Sequence, residues 1–399
     1  MPISSGRTMS PHPPSPMPGP APVAAVLAWL GDGMSRRFPA QLDAEACQAR
    51  AQALLASTSP QGPPMKPALE LAWMLRQVDS RLAAQLARAC IAQTPGPDAT
   101  ACALLVLAEA AWLEADLARA QAELAAAQAL LGPAGPPRAL SDLHWLRSQL
   151  AAEAGQARLR DEAIADSLAA ARAAGDVLRV AQGRLALACL AAIDGQGLDG
   201  DAAATVNAGL AADDPCLRML AHLAQQHIAM RAQDTAGAIA HGEVAISAAK
   251  ACGQWRRAIF VSCNIGLELH DRHALDEALA RLDATLPLAR RCGWPLPLGS
   301  ILHAMAECLN GLGRHAAAAD LAGEACALAD RLPLARTRLT GLIALGNALR
   351  HLPDRADDAE SVYLRAEQAA AAAGDEVIGR YARYGRAWLR HARGDTQAA

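Results

Sequence analysis

The segments IGLEL at 265–269, MAECL at 305–309 and LGNAL at 345–349 repeat one short motif at a step of forty residues. Each segment has a large apolar residue first, a small residue second and a leucine fifth, and the step continues to Leu389. An alanine follows twelve or thirteen residues after each small residue, at Ala278, Ala318 and Ala359. Self-similarity at a fixed period of about 20 to 50 residues is the signature of a repeat array. The pattern therefore predicts a chain of stacked, similar units.

The composition of the 399-residue chain favours helices. Apolar residues make up 52% but aromatic residues only 3%, so alanine and leucine, both strong helix formers, supply most of the apolar side chains. The net charge of -3 gives no basic excess of the kind that general nucleic-acid or membrane-surface binders show, so neither partner is expected. No apolar run is long enough to span a bilayer.

The ten cysteines are scattered and form no CxxC pair. They predict buried free thiols in a reducing compartment, and we expect a cytoplasmic protein.

The chain divides into three parts by composition. Residues 1–22 are rich in proline and serine and predict a disordered tail. Residues 23–93 predict degenerate helix pairs, and residues 99–399 predict the repeat array, which ends within a repeat. Apolar residues recur at helical spacing, and the short loops between paired helices imply antiparallel packing. No pair can bury its apolar face alone, so we expect each unit to stack on its neighbours, with cooperativity along one dimension.

The spacing of small and bulky residues resembles the tetratricopeptide repeat (TPR). One unit carries Gly266, Leu269, Ala278 and Leu282, with Thr285 in the last small position, and another carries Gly346, Leu349, Ala359, Tyr363 and Ala366. The resemblance implies an all-α, right-handed superhelical solenoid of antiparallel helix pairs. The step of forty exceeds the usual period of about 34 residues. Such long units are similar to the helical arms of maltose-activator-type transcription regulators and to the TPR-containing portions of bacterial diguanylate cyclases.

Motifs of enzyme chemistry are missing from the sequence. It has no P-loop, no HExxH and no GxSxG. Ser247 and Lys250 have the SxxK spacing of some serine hydrolases but lack the companion motifs, and His270 and His273 lack a third metal ligand. We therefore predict a non-enzymatic protein without cofactor or metal.

The resemblance also implies where a partner binds. In TPR arrays the first helix of each pair lines a concave groove, and transferring its exposed positions gives nine candidate residues: His303, Glu307, Asn310, Thr340, Asn347, Arg350, Arg380, Arg383 and Arg390. The four arginines with Asn347 would form a basic end of the groove, suited to carboxylates or phosphates. The alternative is that these arginines are solvated or pair with neighbouring acidic residues.

Two functions follow from these features. The first is a scaffold or regulator that binds a protein or peptide partner in the groove. The alternative is the sensory or regulatory portion of a larger signalling protein, a diguanylate cyclase or transcription regulator, whose output domain is absent from this chain. On the last helix we expect Tyr381, Tyr384, Trp388 and Leu389 to lack cover, which would allow self-association through that helix.

Overall fold

The computed structural model describes residues 38–56, 62–94, 96–330 and 335–394, and these residues form an array of α-helices without a strand. The predicted tail at 1–22, the first part of the predicted helix pairs at 23–37 and residues 395–399 lie outside the described residues. The helices are α1 Ala44–Ala56, α2 Met65–Leu75, α3 Ser80–Ile91, α4 Pro97–Leu113, α5 Leu117–Leu131, α6 Pro137–Glu153, α7 Ala157–Ala173, α8 Val177–Asp194, α9 Gly200–Leu210, α10 Pro215–Arg231, α11 Thr235–Ala251, α12 Trp255–Asp271, α13 Leu275–Cys292, α14 Pro295–Gly311, α15 His315–Asp330, α16 Ala335–Leu349, α17 Ala356–Ala373 and α18 Glu376–Ala392.

From α2 onward the helices pack as antiparallel pairs, α2 with α3 through to α16 with α17, and α18 packs on α16 and α17. First helices of neighbouring units also pack on each other, as α12 does on α14 and α14 on α16. The predicted all-α solenoid of stacked helix pairs is confirmed.

The helix starts follow from capping chemistry. An aspartate side chain accepts a hydrogen bond from a first-turn backbone N–H in several helices, for example Asp79 from Leu82 and Asp375 from Ile378. Proline occupies the first turn of α4, α6, α10 and α14, where its missing N–H costs nothing.

From the α4–α5 pair onward, the turn inside each helix pair contains one residue with a left-handed backbone, and the turn after α18 contains another. These residues recur at steps of 38 to 41 along the chain, at Ala115, Gly155, Gly195, Gln233, His273, Gly313, Asp354 and Gly394. The forty-residue unit therefore extends back to residue 115, well before the part where the sequence pattern is clear.

The small and bulky residues of the repeat meet as the TPR resemblance implies. A side chain on Gly266 would begin 2.7 Å from Leu282, and one on Gly346 would begin 2.7 Å from the ring of Tyr363. All four leucines of the forty-residue step, at 269, 309, 349 and 389, are buried. Because glycine has no side chain, the helices of each pair cross closely at these positions.

Besides stacking on neighbouring units, the array has a contact between units far apart in sequence. Trp294, at the start of α14, donates its indole N–H to Ser80 Oγ at 2.9 Å, across 214 residues. Trp255 and Trp294 belong to the hydrophobic core that α1–α6 form. The solenoid winds tightly enough to bring its early helices against the starts of α12 and α14. That core is continuous across the predicted boundary near residue 93, and the boundary stays a prediction.

The last described helix, α18, is partly covered by α16 and α17. The prediction for Leu389 is wrong, because packing on α16 and α17 leaves it 2% exposed, and Trp388 is half-buried. Tyr381 and Tyr384 are 59% and 67% exposed, as predicted.

The ten cysteines have free thiols, and eight of them are buried. Burial raises the pKa of Cys90 and of Cys189 to about 11. Within the described part of the chain, no helix is long and apolar enough to cross a membrane.

Candidate functional site

The nine predicted groove residues lie on three first helices, or just after them, that pack side by side. His303, Glu307 and Asn310 are on α14, Thr340 and Asn347 on α16 with Arg350 directly after it, and Arg380, Arg383 and Arg390 on α18. The structure thus places them along one succession of helices, and it brings only some of them into contact.

Glu307, Asn347 and Arg350 form one cluster with Tyr363, a residue that sequence analysis assigned to packing rather than to the site. The Tyr363 hydroxyl donates to Asn347 Oδ1 at 2.7 Å, and Asn347 lies beside Glu307. Arg350 lies beside Tyr363, and its guanidinium lies 5.0 Å from the centre of the Trp388 ring. The cluster joins α14, α16, α17 and α18.

Burial sets the protonation of this cluster. It raises the pKa of Glu307, against the opposing charges of His270 and Arg350, and it raises the pKa of Tyr363 to about 12. Tyr363 is therefore a neutral hydrogen-bond donor at neutral pH, and burial disfavours the charged form of Glu307.

Three other predicted residues lie on the same two helices, α14 and α16. Asn310 donates through Nδ2 to the Ala344 carbonyl at 3.1 Å and so ties α14 to α16. Thr340 donates to the Thr337 carbonyl at 3.4 Å within its own helix. His303 is half-buried on α14.

The arginines of α18 are largely balanced by α17. Arg383 lies 3.9 Å from Glu367, and Arg390 lies 3.7 Å from Glu360. Arg380 is exposed and has no ion pair among the described residues. For Arg383 and Arg390 the structure therefore shows the pairing that the sequence left open as the alternative. Whether these nine residues bind a partner stays a prediction.

A second site lies on the inner face, and sequence analysis missed it. We call it the inner cleft. It has an unfilled space of about 20 Å³, partly open to solvent, and it is lined by first helices and by residues just outside the helices. Helices α4, α6, α8, α10 and α12 contribute to it, and the side chains used below are Phe38, Gln77, Trp112, Trp145, Gln182, Gln254, Arg256 and Arg257.

Buried ion pairs support one wall of the inner cleft. Arg76 Nε lies 3.0 Å from Glu109 Oε2, and Gln77 donates to Glu109 Oε1 at 2.6 Å. On the next units, Arg179 lies 2.8 Å from Asp142. Removing one partner of a buried pair leaves an uncompensated charge, so these pairs hold their neighbours in fixed positions.

Arg256 is held at the edge of the cleft by stacking and by one ion pair. Its guanidinium lies 4.3 Å from the centre of the Trp112 ring and 2.9 Å from Glu153 Oε2. Burial lowers the pKa of Arg256 to about 10, which leaves it charged at neutral pH. Arg257 beside it is half-buried.

One signal in the sequence could have revealed this site. Glu109 interrupts an otherwise apolar helical run from residue 101 to 113, and a buried carboxylate needs a buried partner. The partner, Arg76, is on another unit, and no local pattern connects the two. Among the described residues, no three histidine, cysteine, aspartate or glutamate side chains are placed to hold a metal ion.

Comparisons with known proteins agree on the fold alone. No protein-family model matches the chain, and no curated protein matches it in sequence. A Rap protein, solved complexed with Competence and Sporulation Factor, is similar with a TM-score of 0.50 at 10% identity, over 82% of this chain and 98% of that one.

Two further solved structures are similar at lower scores. A signal transduction ATPase with a tetratricopeptide repeat sensor from Pyrococcus horikoshii has a TM-score of 0.41 at 10% identity, over 89% of this chain and 50% of that one. The TPR domain of P58(IPK) has a TM-score of 0.27 at 13% identity, over 90% of this chain and 100% of that one. The chain has a TPR-like helical repeat fold.

Proposed function

We propose that this protein is a non-enzymatic adaptor that binds a peptide segment of a partner protein along its inner face. The observation that carries the proposal is the inner cleft, where first helices of successive units present amide, guanidinium and indole groups to one space. The predicted row on α14, α16 and α18 would extend this face toward the last units.

The chemistry of the inner cleft suits an extended peptide. A peptide backbone offers both N–H donors and C=O acceptors, and the amides of Gln77, Gln182 and Gln254 can match both. Trp112 and Trp145 offer large rigid surfaces for an apolar side chain, and Arg257 offers a fork of donors for a carboxylate.

The fold likeness supports the proposal in one respect. The Rap protein of similar fold was solved complexed with Competence and Sporulation Factor, so an array of this kind can hold a bound partner. We place the protein in the cytoplasm, where its ten free thiols stay reduced. The alternative of a regulatory portion of a larger signalling protein stays a prediction.

The test begins with a random peptide library displayed on phage and selected on the immobilised full chain. Enriched peptides are then titrated in solution by fluorescence anisotropy. We expect Gln182→Ala with Arg257→Glu to weaken binding at least tenfold, and Arg380→Glu with Arg383→Glu to weaken it less, because Arg383 already pairs with Glu367.

Arg184→Glu is the matched control, because Arg184 is exposed on α8, the helix that carries Gln182. It should leave binding unchanged, and circular dichroism should show unchanged helicity in every variant. Failure to enrich any peptide, or affinities that neither double variant changes, would refute the proposal.

A further inference from the structure

The inner cleft already holds a segment of the same chain. Phe38 is 3% exposed and lines the cleft together with Gln77, Trp112 and Arg256. The guanidinium of Arg76 lies 4.2 Å from the centre of its ring, a favourable cation–π arrangement. Phe38 precedes α1, so it enters the cleft from outside the helix pairs that build it.

Leu42 gives this segment a second anchor. Its backbone N–H donates to the carbonyl of Ala251, the last residue of α11, at 3.0 Å. Its side chain is half-buried against Gly253. Between the two anchors, Ala40 and Gln41 are exposed. A short peptide that lies in a groove is held in the same way, by apolar side chains and by main-chain hydrogen bonding to the wall.

Two side-chain amides of the inner cleft keep an atom without a hydrogen-bond partner while residues 38–42 lie there. Gln77 and Gln182 are only 5% and 4% exposed, yet Gln77 Oε1 and Gln182 Nε2 have no hydrogen-bond partner among the described residues. Buried polar atoms are nearly always hydrogen-bonded, because leaving one unpaired costs its lost hydration. The phenyl ring of Phe38 can satisfy neither amide, whereas the backbone of an incoming peptide carries both the donor and the acceptor they need.

We propose that residues 38–42 are a built-in occupant of the inner cleft, which a partner peptide displaces. The proposal rests on the proposed function and deepens it, because it defines the peptide. That peptide carries an aromatic residue for the Phe38 position and an aliphatic residue four positions later for the Leu42 position. Its backbone binds the amides of Gln77 and Gln182. Occupation by the segment raises the concentration of partner needed for binding, since the partner must first displace a group tethered at high effective concentration.

The test uses the full chain and a capped synthetic peptide of residues 38–43, labelled with fluorescein. In the variant Phe38→Ser with Leu42→Ser the built-in occupant loses both anchors. We expect this variant to bind the peptide with a Kd at least tenfold lower than the wild-type chain does. The control variant Gln41→Ala, changed at an exposed position of the same segment, should bind as the wild type does. Equal affinity of the folded double-serine variant and the wild type would overturn the proposal.

A second measurement needs no variant and covers the case in which the double-serine chain does not fold. The Leu42 amide is hydrogen-bonded in the occupied cleft, so it should exchange slowly with deuterium in the free wild-type chain. Saturating unlabelled peptide of residues 38–43 should speed that exchange at least tenfold. Unchanged protection under saturation would also overturn the proposal.

The two proposals fail in different ways. Library peptides that bind wild-type and double-serine chains equally would leave the adaptor function standing and remove the built-in occupant. Binding of the 38–43 peptide to the double-serine variant, with no library peptide enriched, would support the occupant and count against a partner.

Discussion

At the scale of single residues, Tyr363 joins the last two units. It is fully buried, its ring lies directly against Gly346 of α16 and Gly385 of α18, and its hydroxyl reaches Asn347. Any side chain at Gly346 must displace this ring or separate the helices. The TPR-like pattern of small and bulky residues is thus a steric requirement at this position.

Gly346→Ala should therefore destabilise the protein by about 1–3 kcal/mol, the usual cost of overpacking a filled core. Gly323→Ala is the matched control, since Gly323 also lies within a helix but has no atom within 4 Å of an added Cβ. There alanine should stabilise by up to about 1 kcal/mol through helix propensity alone. Urea unfolding followed by circular dichroism measures both changes, and a shift of the same sign in the two variants would contradict the steric account.

Glu307 gives a prediction about pH. Burial raises its folded pKa above the ordinary value of 4.5, so between these two values the folded protein binds more protons at this site than the unfolded chain does. Stability from this site therefore falls as pH rises through that window. Glu307→Gln should raise the unfolding temperature at pH 7 and have less effect at pH 4.5 and below. Unfolding temperatures that shift equally at both pH values would contradict a raised pKa.

At the scale of elements, the turns of successive pairs share one backbone geometry, although different residue types occupy the left-handed position. The left-handed position of the turn is glycine at 313 but histidine at 273. Non-glycine residues in this conformation are strained by roughly 1–2 kcal/mol. His273→Gly should therefore stabilise the α12–α13 pair by about 1 kcal/mol, and Gly313→Ala should destabilise the next pair by a similar amount. Thermal unfolding of the two variants checks this, and it would count against the turn geometry if His273→Gly lowered the melting temperature.

The elements themselves were largely predictable from the sequence. Gly132 directly follows α5 and Asp214 caps α10, and both residue types are ordinary signals of helix ends. The extent of the repeat was less predictable. Ala115, Gln233 and Asp354 occupy positions where other units have glycine, so the sequence pattern fades while the backbone geometry persists.

The candidate site was also only partly predictable from the sequence. Glu307, Asn347 and Arg350 share a cluster because they occupy first helices of successive units, which the forty-residue step makes visible. Tyr363 joins them from a second helix, and the sequence gives it only a packing role. The inner cleft combines residues as distant as Phe38 and Arg257, and no local pattern relates them.

At the scale of the whole molecule, the winding of the solenoid could not be predicted. The contact between Ser80 and Trp294 depends on small rotations summed over many units. Each rotation follows from packing details that no single motif carries. The consequence is a core shared by helices far apart in sequence, so distant units should unfold together rather than one after another.

Trp294→Ala tests this coupling. The side chain is 1% exposed, and its removal should cost about 3–5 kcal/mol, through lost apolar burial, the cavity left behind and the unpaired Ser80 hydroxyl. If the early and late units share one core, both the helix that carries Ser80 and the helices around Trp294 should lose stability. Hydrogen exchange should then become faster in α3, at residues 80–91, as well as in α13 and α14.

Trp388→Ala is the control, because Trp388 is half-buried and its core cluster contains only residues of the last units. It should speed exchange in α16 to α18 and leave α3 unchanged, since no contact of that cluster reaches the early helices. A Trp294→Ala chain whose faster exchange stays confined to α13 and α14 would mean that the units unfold independently. The contact with Ser80 would then be a consequence of the winding and would not couple the two ends of the shared core.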